Sequence, residues 1–185
     1  METTQPSARY SRGAIALHWL IAVLIIANVL EAWLSDGASK PQRIAVMSIH
    51  EASGILILFL SFARLAWRLM HKPPAMVETL KAWEAALARV THWLFYFLMI
   101  ALPLTGWAMA SAFGKGKPVS MFGLFDMPAL PVGYDKPTAE MFQTMHGVLG
   151  NFILVGLLAL HVAGALKHQF VDHDGTLRRM VPFLR

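Results

Sequence analysis

Four stretches of this chain are apolar over the length a helix needs to cross a membrane, about 20 residues for about 30 Å of hydrocarbon. They run from about Gly13 to Leu34, Ile44 to Met70, Val90 to Phe113 and Met141 to Phe170. No water reaches a bilayer core, so the backbone there must satisfy its own hydrogen bonds, and an apolar run of this length reads as a helix. Four such runs in 185 residues leave too little polar chain to coat a soluble core. Composition agrees: 56% of residues are hydrophobic and 15% charged, where a soluble domain carries about 25% charged. The chain therefore reads as an all-α membrane protein, a single four-helix bundle over residues 1–185. The opening "METTQPSARYSRG" is polar and lacks a signal-peptide core and cleavage site, so the first span is expected to stay in the mature protein.

Charge gives the direction of the spans. With the N-terminus in the cytoplasm, eleven of the sixteen Lys and Arg residues fall on that side and five on the other. The positive-inside rule then predicts both termini in the cytoplasm. The net charge of +5 has the same origin. The basic residues lie between apolar runs, with no basic stripe interleaved with aromatics, so nucleic acid is not an expected partner. There are no cysteines, which excludes disulfides, iron–sulfur clusters and thiolate-bound zinc.

Two connections have character. Pro73 and Pro74 stop the second span, and "VETLKAWEAALAR", residues 77–89, is expected to form a short interfacial helix. The segment 111–140 is long and rich in Gly and Pro; its apolar residues predict that it folds over the bundle. Pro103 predicts a kink in the third span.

Ionisable residues within spans are costly and mark function. Depth sorts the eight histidines. His18 and His161 share the cytoplasmic half, and His50 and His146 share the periplasmic half. His146 and His161 stand 15 residues apart in the fourth span. On a regular helix that is roughly 22 Å along the axis and roughly 60° in azimuth, so both rings face broadly one side. Two facing imidazoles at one depth can hold a metal, share a proton or bond to backbone. A structural zinc takes four ligands, and each level offers two. A haem supplies four ligands itself and takes two axial ones, for which His/His is a suitable pair. Gly54, Gly147, Gly150 and Gly164 lie near the four histidines and would let a flat macrocycle approach the backbone; small residues also serve helix packing.

The ordered set "YSRGAIALHWL", "IHEASGILIL", "ARLAWRL", "HWLFYFLMIALPLTGW", "HGVLGNFILVGLLALHVAGALKHQF" and "GTLRRMVP" resembles the bacterial cytochrome b561 family along nearly the whole chain. That resemblance implies a multi-pass inner-membrane protein with two haem b groups, one on His18 and His161 and the other on His50 and His146. The family includes a superoxide oxidase that passes electrons through its haems to ubiquinone. By the same resemblance the quinone site lies at the cytoplasmic end, where His92, His168 and Arg89 are candidates to bind quinone and deliver protons. His168 can equally be a ring facing lipid headgroups.

Arg64 and Arg68, with Arg12, are candidates to pair with haem propionates, or else to snorkel to headgroups. Lys115 and Lys117 in "GKGKP" are candidates to draw superoxide in, though acidic residues share that side and the segment also reads as a solvated turn. The tryptophans suit interfacial belts. Two redox functions follow. One is a superoxide:ubiquinone oxidoreductase. The other is a cytochrome b subunit that relays between the quinone pool and a separate dehydrogenase or periplasmic redox partner. A haem-free four-helix protein is the third reading.

Overall fold

The computed structural model describes residues 9–77 and 80–181. Its frame is four long helices: α1 (Arg12–Asp36), α2 (Lys40–Met70), α3 (Ala82–Phe113) and a fourth of three parts. These parts are α4 (Lys136–Gly147), a π-helical turn (Val148–Leu154) and α5 (Val155–Phe170). All four are long and apolar enough to cross a membrane. Each starts on a cap. The Ser11 hydroxyl accepts from the Ala14 N–H, and Asp135 accepts from the Thr138 N–H. Glu84 reaches back to the Lys81 N–H, and Gln42 to Ser39. These side chains satisfy orphan donors at the helix starts.

α1 packs on α2, α2 on α3, and α3 on the fourth helix. Ile21, Ile57, Tyr96 and Met99 form one apolar cluster; Leu98, Leu154 and Leu157 form another. Large apolar side chains such as Val23, Leu34, Phe97 and Phe152 point outward, as helices facing lipid require.

Two expectations need correction. Residues 82–89 are not a separate interfacial helix but the first turns of α3. No breaker separates Arg89 from Val90, so the capped helix continues, and the Lys167 ammonium bonds Glu84 at 2.9 Å. Glu78 and Thr79 lie outside the described residues, as do Pro182 and Arg185 at the tail. The fourth helix is also not uniformly α-helical. The Val155 N–H reaches the Gly150 carbonyl, five residues back, so rotation counted at 100° per residue fails between His146 and His161. Pro103 lies within α3 without ending it.

The segment after α3 does fold onto the bundle. β1 (Val119–Met121) and β2 (Phe125–Met127) form an antiparallel hairpin. Val119 and Met121 bury against Ala52 and Ile55 of α2, within two turns of His50. Trp107 donates to the Pro128 carbonyl and the Leu130 N–H donates to Ser111, which tie the segment down. At the other end of the bundle Trp19 donates to the Met180 carbonyl at 2.9 Å, holding the C-terminal segment on α1.

Candidate haem-binding sites

The four span histidines meet in the two pairs that depth predicts. The ring centroids of His50 and His146 are 6.1 Å apart, and those of His18 and His161 are 6.2 Å apart. One pair joins α2 to α4 and the other joins α1 to α5, helices that are not among the closely packed neighbours of the bundle. All four rings are half-buried.

The first pair is held by backbone. His50 Nδ1 donates to the Asn28 carbonyl at 3.0 Å. His146 Nδ1 donates to the Leu102 carbonyl at 3.1 Å, with the Thr105 hydroxyl 3.3 Å away. A carbonyl only accepts, so these contacts fix the proton on Nδ1 and leave the Nε2 lone pair free. Asn28 closes the arrangement from its other end. Its side-chain amide donates to the His50 carbonyl at 2.8 Å and to the Ser53 hydroxyl at 2.7 Å. Gly106 faces the His146 ring, where an added Cβ would stand 2.9 Å from Cε1.

The second pair sits in a cationic and aromatic cluster. Arg64 Nη2 donates to His18 Nδ1 at 3.0 Å. The Arg64 and Arg68 guanidiniums lie 5.7 and 5.4 Å from the Tyr96 ring centroid, and Arg68 also faces Trp93. Arg64 therefore turns into the bundle rather than out toward headgroups. His92 stands 5.8 Å from His161, so it belongs to this level and not to a separate surface.

The remaining candidates are dispersed. His168 Nδ1 bonds Asp174 at 2.7 Å and Asp172 at 3.1 Å, and Lys167 bonds Asp172 at 2.6 Å. Burial raises the Asp174 pKa, but hydrogen bonds from Thr176 and the charge of His168 outweigh it and hold the carboxyl below its ordinary value. Arg12 and Arg89 are exposed. Lys115 and Lys117 are exposed on the turn between α3 and the hairpin, and neither forms an ion pair among the described residues. Of the glycines near the histidines, Gly54, Gly147 and Gly164 have no side chain within about van der Waals contact of a Cβ position, save Asn28 at 4.0 Å from Gly54. Asn28, Ser53, Thr105 and Gly106 went unremarked in the sequence. Asn28 carries the one signal that could have found it, a polar amide in the middle of an apolar span.

Residues 9–183 match the family of prokaryotic cytochrome b561, and the chain belongs to it. Cytochrome b561 homolog 2 of Escherichia coli is 31% identical over 98% of this chain and 95% of its own length. The probable superoxide oxidase CybB of Yersinia pestis is 32% identical over 94% of this chain and 96% of its own. Cytochrome b562 of Cereibacter sphaeroides is 25% identical over 93% of this chain. The protein is thus a membrane electron-transfer cytochrome of the b561 family, a multi-pass protein of the bacterial inner membrane. The family implies haem b.

The residues present fit that group. Two metal–imidazole bonds of about 2.0 Å each, plus the two ring radii, come to roughly 6 Å between centroids, the separation seen in both pairs. His50 and His146 already carry their protons on Nδ1, the arrangement an Nε2 ligand requires. His18 fits on one condition. Arginine only donates, so while Arg64 holds Nδ1 the ring proton is on Nε2, and ligation needs Arg64 to release it.

Proposed function

We propose that this protein is a dihaem cytochrome b that takes electrons from superoxide on the periplasmic side and delivers them to ubiquinone at the cytoplasmic side, where both termini lie. The observation that carries this reading is the presence of two separate imidazole pairs, each 6.1–6.2 Å between ring centres, one toward each end of the bundle. Haem b bound at each level supplies one-electron oxidation and reduction. His50 and His146 hold one group, and His18 and His161 the other. Arg64 and Arg68, with Arg12 nearer the surface, offer guanidinium partners for propionates.

The relative named a probable superoxide oxidase supports superoxide as the donor. Lys115 and Lys117 stand at the end that carries the hairpin and the His50–His146 pair, and their exposed ammonium groups raise the local concentration of an anion. At the other end a quinone offers two carbonyl oxygens. His92 and His168, with Arg89 one turn before His92, supply N–H donors for them. Asp172 and Asp174 hold His168 by its Nδ1, which orients the ring and leaves Nε2 to face a quinone oxygen. The balance is two superoxide anions oxidised to two molecules of oxygen, with one quinone taking two electrons and two protons to become quinol.

The test is an optical titration of the detergent-purified protein. Two b-type haems per chain, reduced by superoxide and reoxidised on adding ubiquinone, support the proposal. Two haems that superoxide leaves oxidised would overturn the oxidase reading in favour of a subunit that relays electrons to a separate redox partner. A colourless protein would overturn both.

A further inference from the structure

The fourth helix is the one helix that contributes to both imidazole pairs, and the π-helical turn lies between its two rings, at Val148–Leu154. A π turn holds one residue more than an α turn, so the segment beyond it emerges as though one residue had been skipped. The 15 residues from His146 to His161 then turn the chain by about 14 residues' worth of α-helix. In an unbroken α-helix the second ring would lie roughly 60° round from the first; across this turn it lies roughly 40° round in the opposite sense. The sign matters because the two partners are on different helices. His146 must meet His50 on α2, and His161 must meet His18 on α1. A swing of about 100° would aim one ring away from its neighbour.

The turn is built to stay. Gly147 and Gly150 lie at its start, where a widened backbone is easiest to accommodate, and Gly156 follows it. The Asn151 side chain accepts from Trp33 Nε1 of α1 at 3.4 Å, a contact that faces the widened turn toward α1. We propose that this π-helical turn is the register device that lets one helix serve both haem levels, with its extra residue, not any particular side chain, as the positioning element. The proposal rests on the dihaem reading above.

The test changes the residue count in the full chain and reads haem per chain, together with the electron paramagnetic resonance signal of each bis-imidazole centre. Deleting Phe152, which is exposed, lets the helix close to α and keeps the ring geometry. The expected result is a folded protein with two haems and both signals unchanged. Inserting one alanine after Phe152, or deleting Asn151 and Phe152 together, makes a count that one turn cannot absorb, and each drops to one haem per chain. Asn151→Ala keeps the count and keeps two haems. The proposal is overturned if deletion of Phe152 loses a haem or fails to fold, since a helix that closes over the gap has no reason to do either. It is equally overturned if the insertion keeps two haems or if Asn151→Ala loses one. A wild-type count below two would overturn the dihaem reading itself.

Discussion

Arg64 Nη2 donates to His18 Nδ1 at 3.0 Å, and this contact ties the charge of α2 to an imidazole of α1. It also sets a prediction. Arg64→Met frees His18 Nδ1 and removes a cation from the level of His18 and His161. Ligation by His18 needs Nε2, so the variant should still bind two haems. A nearby positive charge favours the reduced state, so the potential of that haem should fall by roughly tens of millivolts. Redox titration of the variant measures both. Loss of the haem would mean that Arg64 supports the ring rather than competing for it.

At the opposite level the critical neighbour is a glycine. A Cβ on Gly106 would stand 2.9 Å from His146 Cε1 and 3.1 Å from Nδ1, closer than atoms pack. Gly106→Val should displace the ring and remove the haem held by His50 and His146, leaving the other in place. Gly37→Ala adds a Cβ where no atom lies within 4 Å and should change nothing. Haem count and thermal stability of the two variants check the contrast.

Asn28 makes three contacts around His50, two through its side chain and one through its carbonyl. Asn28→Leu leaves the carbonyl to hold Nδ1 but removes the two bonds of the side-chain amide, to the His50 carbonyl and to the Ser53 hydroxyl, which keeps its own bond to the His50 carbonyl at 3.2 Å. The expected loss is about 1–3 kcal/mol. It should show as faster haem release and a lower midpoint of thermal unfolding, with the spectrum of the other level unchanged.

Lys115→Glu with Lys117→Glu reverses two exposed charges at the end proposed to meet superoxide. The rate of haem reduction by superoxide should fall several-fold at low ionic strength and the difference should fade as salt is added, since screened charges steer less. Stopped-flow reduction across a salt series measures it. Reduction by added quinol from the other end should not change.

Asp174 gives a pH dependence with a definite sign. Its carboxyl is held below its ordinary value, so its contacts stabilise the folded tail above the ordinary carboxylate range of about pH 4 and are lost as pH falls through the lowered native value. The Thr176 N–H donates to Asp174 Oδ1 at 2.8 Å and reports on this directly. Its exchange with solvent, corrected for the intrinsic rate, should stay protected at pH 5–7 and lose protection in acid. Asp174→Asn should abolish the dependence.

The bundle was legible because the bilayer leaves a chain few choices. Apolar length alone gave four spans, with ends that differ from the structure mainly where a capped helix runs past the apolar stretch, as at Ala82. The histidine pairs were legible because depth follows from counting along a helix, and ionisable rings in apolar spans are rare. What counting could not reach was rotation. The azimuth of His161 depends on a π turn, and Gly150 and Asn151 within "VLGNFIL" do not by themselves tell a π turn from an α-helix. The residues that hold the rings escaped for a related reason. Asn28 and Thr105 act through contacts 22 and 41 residues away in sequence, and Gly106 matters through the space it leaves. His92 was placed at the right end, but its closeness to His161 is a matter of helix rotation again.

The most direct test of the account replaces each of His18, His50, His146 and His161 with alanine and resolves the two haems by low-temperature spectra and paramagnetic resonance. One haem per chain is expected in every variant, with His50→Ala and His146→Ala losing the same spectral component and His18→Ala and His161→Ala losing the other. A different grouping, or retention of both haems in any of the four, would contradict it.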